Sequence, residues 1–251
     1  MVHGLMKPNY KFNLMIIFET EVISVLERTP GVKSFRFKTV KDLIFKPGQF
    51  FFVGIMIDGK EETKHFSFSN SPTETDYIEF TKRLTRSEFS NGLNKLKPGD
   101  WAKIKAPYGN FIFNEEYKKI AFLSGGIGIT PIRSISKYVV DKSMSTDMVL
   151  LYGNNTQKDI IFKEDFDNMS ETKSDFKVVY TLTSNDLDKS NWGGKTGYVD
   201  ADMIREEVPD YNDRVFYICG PPAMVDALSN LLKDDLKIDN SKIVIENFTG
   251  Y

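Results

Sequence analysis

Ile120-Ala121-Phe122-Leu123-Ser124-Gly125-Gly126-Ile127-Gly128-Ile129-Thr130-Pro131-Ile132 carries an apolar run straight into three glycines and then into a second apolar stretch. Four consecutive apolar residues, followed by Ser124 and then glycine, read as a buried strand. The stretch that follows has helical spacing, with Pro131 near the first turn, where the missing N–H is tolerated. Gly125, Gly126 and Gly128 permit a tight turn and let backbone N–H groups approach a ligand closely. The helix N-terminus then turns its positive dipole end toward that ligand, so the pyrophosphate of a dinucleotide fits here. The spacing is not G-x-G-x-x-G, and an ordinary glycine turn between a strand and a helix is the competing reading.

Downstream the same grammar repeats. Buried strands over 148–152, 176–182, 215–219 and 243–246 alternate with helical stretches over 132–140, 160–168 and 222–232. Strand–helix alternation predicts a doubly wound parallel sheet. Upstream the grammar differs. Short β-rich runs at 21–26, 34–38, 50–57, 65–69, 77–84 and 101–106 are separated by turns such as Thr29-Pro30-Gly31, Lys46-Pro47-Gly48 and Lys97-Pro98-Gly99-Asp100, with one short helical stretch at 88–96. Proline fixes φ and glycine relaxes it, and turns at this spacing predict an antiparallel barrel or sandwich. The fold class is therefore β followed by α/β, with the boundary near Asn114: residues 1–114 form the first domain and 115–251 the second.

Composition narrows the chemistry. The 251 residues, 41% hydrophobic and 13% aromatic, supply core for two domains, and 33 Lys/Arg against 35 Asp/Glu without a long single-sign block indicate no nucleic-acid partner. One cysteine, Cys219, and two histidines, His3 and His65, leave no disulfide, four-cysteine zinc site or cysteine-ligated iron–sulfur cluster within one chain. No metal is expected, so redox chemistry here must use an organic cofactor. No run approaches the ~20 apolar residues of a membrane span; the stretch 12–18 is interrupted by Asn13, closed by Glu19 and lacks a small-residue cleavage site. It reads as a strand lead-in, and the chain as cytoplasmic.

A second motif lies in the first half. Lys64-His65-Phe66-Ser67-Phe68-Ser69-Asn70-Ser71-Pro72 puts a cation, an aromatic ring and hydroxyls on one strand, and Ser87-Glu88-Phe89-Ser90-Asn91-Gly92-Leu93 follows. Such a strand suits a flat, phosphate-bearing cofactor, and the Ser90 and Asn91 amides, opening the short helix, offer a further anion site. A polar edge strand with its serines in water would read the same way.

Taken in order, Lys64-x-Phe66-Ser67, Ser90-Asn91-Gly92, Pro107-Tyr108-Gly109-Asn110-Phe111, Gly125-Gly126-x-Gly128-x-Thr130-Pro131, Tyr152-Gly153-Asn154, Cys219-Gly220-Pro221-Pro222 and Glu246-x-Phe248 resemble the ferredoxin–NAD(P)H reductase superfamily, from about residue 21 to 251. The resemblance implies a flavin-binding Greek-key β-barrel followed by a nicotinamide-binding α/β domain, with hydride passing between the two rings at their interface. It implies that Phe66 flanks the isoalloxazine and Ser67 hydrogen-bonds near N5. Lys64 and the Ser90 and Asn91 amides would hold the phosphates, and Phe80, Thr81 and Lys82 would line the rest of the flavin tail. Gly126, Gly128 and Thr130 would take the nicotinamide dinucleotide, and Cys219, Gly220 and Pro221 would lie by the nicotinamide. Glu246 and Phe248 would close the other flavin face, with Ser67, Cys219 and Glu246 the catalytic set. Cys219 also reads as a small apolar residue ending a buried strand, Tyr251 is a rival to Phe248 for stacking, and His65 is expected to point away from the cofactor.

Two departures bear on cofactor choice. The family usually has arginine where Lys64 stands, and a lysine offers a point charge instead of a bidentate fork; FAD is still expected, with FMN the lesser alternative. After Thr183-Ser184, where a cation would read the 2′-phosphate of NADPH, stand Asn185, Asp186 and Asp188, which leans toward NADH, with Lys189, Lys195 and Arg133 as remaining phosphate readers. Lacking a cluster of its own, the chain is expected to reduce a separate acceptor such as a ferredoxin or an oxygenase component, a free flavin or quinone being another kind. A non-catalytic nucleotide-binding sensor or scaffold subunit is the alternative function.

Overall fold

The structure, a computed structural model, describes residues 15–184 and 192–248. Asn185, Asp186, Asp188, Lys189 and Tyr251 therefore lie outside the described residues.

Six strands build the first sheet: β1 (Ile16–Thr29), β2 (Val32–Lys38), β3 (Phe50–Ile57), β4 (Lys60–Ser67), β5 (Tyr77–Arg83) and β6 (Trp101–Tyr108). All pairings are antiparallel, in the order β4-β3-β6-β1-β2-β5. Strict alternation sorts the side chains, as period-two geometry requires: Phe51, Val53, Ile55 and Ile57 of β3 are buried, whereas Phe50, Phe52 and Met56 face outward. The first strand begins at Ile16 instead of 21, because it serves two partners. Its residues 16–21 pair with β6 and 22–29 with β2, and irregularities at Val22/Ser24 and Glu27/Thr29 bend it between them. The two edges then meet: Phe66 of β4 stacks on Phe80 of β5 at 4.2 Å, and the Ser69 N–H donates to the Glu79 carbonyl at 2.8 Å. This seam closes the Greek-key barrel, and α1 (Glu88–Lys95) lies in the connection from β5 to β6.

The second sheet is wholly parallel, in the order β10-β9-β8-β7-β11-β12: β7 (Lys119–Gly125), β8 (Asp147–Asn154), β9 (Phe176–Leu182), β10 (Lys195–Thr196), β11 (Val215–Gly220) and β12 (Ile243–Asn247). Helices α2 (Ile129–Asp141) and α3 (Lys163–Thr172) cover one face, and α4 (Ala201–Glu207) and α5 (Pro222–Asn230) the other. Alternate residues of β7 feed the two cores, Ile120 and Phe122 one, Ala121 and Leu123 the other. From β7 the chain winds outward to β10 and then returns to β11 on the opposite side. The topological switch thus falls between β7 and β11, where open α/β sheets bind ligands beyond the strand ends. Helix α3 starts at Lys163 instead of 160, because Phe162 is left-handed (φ 59°) and its ring lies near two guanidinium groups, Arg28 at 4.9 Å and Arg133 at 5.0 Å.

Arg133 joins the two sheets. Its Nη1 donates to the Ser69 carbonyl (2.7 Å) and Glu74 (2.9 Å), its Nη2 to Glu74 (3.3 Å) and its Nε to Asp165 (2.5 Å). Burial alone would raise the Glu74 carboxyl pKa, but the bonds and charge of Arg133 more than offset this and hold it low. Nearby, Ser134 donates to the Asn70 carbonyl at 2.7 Å. Arg133 is therefore not a phosphate reader: it is buried and fully engaged as an interdomain clamp. Lys195, another expected reader, is held by Glu206 (2.5 Å) and Glu207 (2.7 Å). Among the described residues no helix is long and apolar enough to cross a membrane.

Candidate active site

Where the barrel seam faces the C-terminal ends of the parallel strands lies a cleft of about 630 Å³, within the size range of small-molecule and cofactor sites. Lys64, Phe66 and Ser67 of β4 and Thr81 and Lys82 of β5 line one wall, and Thr130, Glu246 and Phe248 the other. These residues come from four segments distant in sequence, and the fold gathers them around one space.

The barrel wall follows from strand geometry. Lys64 and Phe66 share a face of β4, opposite Val53 and Phe51 of β3. Phe66 lies parallel to Phe80, with 10° between the planes, and Phe80 is fully buried. Phe80 does not line the cleft; it backs Phe66 and holds that ring flat. The Lys82 ammonium lies 5.9 Å from the centre of the Phe66 ring, and burial, with the charge of Lys64 second, lowers its pKa. An anion beside the Lys82 ammonium would offset that cost.

Ser87 caps α1, its side chain accepting from the Ser90 N–H at 3.3 Å and its carbonyl from the Asn91 N–H at 2.9 Å. The Ser90 and Asn91 amides expected to bind phosphate are thus taken up within the first turn, and the Ser90 hydroxyl is bound to Thr85 and Ser87. Because the cap is Ser87, the helix starts at Glu88, and the residues it brings to the cleft are Ser87, Glu88 and Phe89.

At the switch point glycines allow close approach. A Cβ on Gly128 would lie 2.4 Å from the Cys219 carbonyl oxygen and 2.6 Å from the Gly220 Cα. Gly128 lets the turn Gly126–Gly128 rest directly on the end of β11. Gly126 is the position with open space beside it, at φ +52°, and Tyr152 fixes it by donating to its carbonyl at 2.9 Å. Close approach to a ligand is therefore available at Gly126, whereas Gly128 serves backbone packing.

Cys219 sits mid-row in the register Ser124–Cys219–Glu246 across β7, β11 and β12. It is fully buried, and burial, with the Glu246 charge second, pushes its thiol well up; Ser124 donates to its carbonyl at 3.2 Å. It is a neutral thiol behind the cleft, which corrects its place in the catalytic set. Gly220 accepts from the Phe248 N–H at 3.2 Å and so positions that residue, and the exposed Pro221 caps α5; neither Gly220 nor Pro221 lines the cleft. Glu246 does line it, and burial pushes its carboxyl up to about 7.

Phe50, Phe52 and His65 also line the cleft, and the sequence reading missed them; His65 does not point away. The signal was the triplet Phe50-Phe51-Phe52, in which alternation forces two rings outward when the middle one is in the core.

An aromatic platform and paired cations on a barrel, facing the switch point of a doubly wound sheet, define a two-domain oxidoreductase of the flavin and nicotinamide class. Residues 19–113 match the family described as oxidoreductase FAD-binding domain, and residues 122–230 that described as oxidoreductase NAD-binding domain. The chain belongs to the ferredoxin–NAD(P)H reductase superfamily. It is 30% identical over 216 residues to the glycine betaine monooxygenase reductase subunit of Pseudomonas aeruginosa, a match covering 84% of this chain and 59% of that protein. It therefore spans about three-fifths of the length of that curated relative. Among solved structures, the FAD/NAD-binding domain of nitric oxide dioxygenase from Vibrio cholerae superposes with a TM-score of 0.81 at 21% identity, covering 92% of this chain and 98% of that one. A ferredoxin NADP+ reductase from Neisseria gonorrhoeae with bound FAD and NADP superposes with a TM-score of 0.77 at 21% identity, again over 92% and 98%.

Proposed function

We propose that the protein is an NAD(P)H-dependent flavoprotein reductase that passes electrons to a separate acceptor, with FAD held by residues 1–114 and the nicotinamide nucleotide by 115–251. The observation that carries this reading is the cleft itself. The Phe66 ring braced by Phe80, the Ser67 hydroxyl and the Lys64/Lys82 pair face Thr130 and Glu246 across a space of cofactor size. When bound, FAD supplies the chemistry that the chain lacks, acceptance of a hydride and release of electrons singly.

The chain's own residues orient and tune. Phe66 would wall one face of the ring and Phe248 the other. Ser67 would donate a hydrogen bond near N5, a contact that would matter most as charge develops in the transition state. Lys64, Lys82 and the Glu88 and Phe89 amides at the start of α1 neutralise the phosphates. Gly126 and Thr130 take the nicotinamide nucleotide. Glu246, whose carboxyl burial pushes up to about 7, is the group in the cleft suited to hold or release a proton.

The acceptor is a ferredoxin or an oxygenase component, a reading supported by the relative named as a monooxygenase reductase subunit, and the donor is NADH. The protein works in the cytoplasm. The test is the visible absorbance spectrum of the purified protein before and after anaerobic NADH and then NADPH. Bleaching of a flavin band by NADH first is the expected result; a colourless protein that refuses added FAD would favour a non-catalytic nucleotide-binding subunit.

A further inference from the structure

Phe162 breaks two local preferences at once. It stands at the capping position of α3, where Ser, Thr, Asp or Asn would accept from the first amides, and its side chain makes no such bond. It is also left-handed, at φ 59° and ψ 25°, a conformation that suits glycine or asparagine and strains a bulky side chain. The other described non-glycine residues with positive φ, Asp58, Ser143 and Lys237, are exposed, whereas Phe162 is buried. A buried residue that violates its local rules is held there by tertiary contacts. Here those contacts are two guanidinium groups over its ring, Arg28 from the barrel and Arg133 from the second domain, both within cation–π reach.

Arg28 is itself held fast. Its Nε donates to the Ser34 hydroxyl at 2.7 Å and its Nη2 to the fully buried Glu79 at 3.0 Å. A carboxylate only accepts, so Ser69 spends its one hydroxyl proton on Glu79 at 2.8 Å and accepts from Thr81 at 2.9 Å. In the 2.6 Å contact between Ser34 and Thr81 it is then Ser34 that donates. The donors thus run one way, from Arg28 through Ser34, Thr81 and Ser69 to Glu79, which closes the loop on Arg28. Hydrogen bonds ordered head to tail in a dry place reinforce one another. Thr81 is also part of the cleft wall, so this loop ties the Phe162 ring to the flavin half of the cleft. On its own side, Phe162 shares a core with Tyr152, whose hydroxyl fixes Gly126, the position of close approach to the nucleotide.

We propose that Phe162 is a positioning residue for hydride transfer: its ring, gripped by one guanidinium from each domain, sets how the flavin and nicotinamide halves of the cleft face each other. The inference rests on the flavin reading above and adds to it the element that fixes the approach of the two rings. Ion pairs such as Arg133 to Glu74 supply attraction between the domains. A close-packed ring resists compression, and so sets the spacing at which that attraction stops. Spacing matters because reacting atoms must meet within about 3–3.5 Å, and a displacement of about 1 Å costs on the order of a hundredfold in rate. A glycine would suit the backbone of residue 162 and a serine would cap the helix, but neither carries a ring for Arg28 and Arg133 to grip.

The test uses the full chain loaded with FAD. Phe162→Tyr keeps the ring, Phe162→Gly relieves the left-handed backbone and removes the ring, and Arg28→Lys keeps a charge beside Glu79 and leaves Phe162 in place. In stopped-flow bleaching by saturating NADH, the limiting rate of Phe162→Gly and Arg28→Lys should fall about tenfold or more, with half-saturating NADH and bound FAD within about twofold of wild type. The primary isotope effect from deuterated NADH should rise in both, and Phe162→Tyr should match wild type. Spin labels placed by Lys60→Cys and Asp226→Cys, exposed sites in different domains, report the interdomain distance without turnover, the native Cys219 being buried. The distance distribution should be narrow in wild type and Phe162→Tyr and broader in the other two. An unchanged limiting rate and distance in Phe162→Gly and Arg28→Lys would overturn the proposal. So would a loss of bleaching amplitude at an unchanged limiting rate, which would make Phe162 a residue for folding alone. A wild type that NADH never bleaches would instead overturn the flavin reading, with the labels still deciding whether Phe162 sets the domain spacing.

Discussion

Replacing Glu246 with glutamine keeps the shape of the side chain and removes its titration. In the folded protein, burial raises this carboxyl from its ordinary 4.5 to about 7. A rise of that size corresponds to about 3 kcal/mol against the ionised form, and to about 2–3 kcal/mol once the part open to solvent is discounted. The folded chain holds this proton more tightly than the unfolded chain does. Stability due to Glu246 is therefore fully present below its ordinary value, falls as pH rises from about 4.5 to about 7, and is level above that. The Glu246→Gln variant lacks this slope. Urea unfolding of both proteins without added cofactor, at about pH 5 and about pH 8, should show the variant gaining on the wild type by about 2 kcal/mol between the two conditions. A difference equal at both pH values would refute the reasoning, because it would mean that Glu246 ionises at its ordinary value and that the cleft does not desolvate it.

Other perturbations follow from the same contacts. Arg133→Met leaves Glu74 and Asp165 uncompensated at the domain junction and should cost about 3–5 kcal/mol in denaturant unfolding; a loss below about 1 kcal/mol would show that the clamp is solvated. Gly128→Ala drives a Cβ into the Cys219 carbonyl and should destabilise by about 1–3 kcal/mol while weakening nucleotide binding in calorimetry, with unaltered affinity counting against the packing argument. Lys64→Arg should slow FAD loss on gel filtration, since a guanidinium grips two phosphate oxygens; a smaller retained fraction would remove Lys64 from the phosphate site.

Much of the architecture was legible in local pattern. The Pro-Gly turns between short β-rich runs, the strand–helix alternation and the glycines after Ser124 are short-range signals, and they predicted the barrel, the parallel sheet and the strand–turn–helix at Gly125. The cleft was legible in part. Lys64, Phe66, Ser67, Thr81, Lys82, Thr130, Glu246 and Phe248 do meet there. Ser90 and Asn91 misled because the cap lay upstream at Ser87, and helix starts depend on which side chain reaches back to the first amides. Arg133 looked like a free cation because its partners, Glu74 and the Ser69 carbonyl, come from a different domain.

By itself the sequence determined what each segment could become, because propensity, period and turn chemistry act over a few residues. Only the tertiary structure decided which residues face one another: that Phe80 braces Phe66 instead of touching a ligand, that Cys219 is sealed behind the sheet, and that Glu246 is desolvated. These are properties of burial and of contacts between distant segments. A Glu or a Cys carries no mark of its own environment until the sheets close around it.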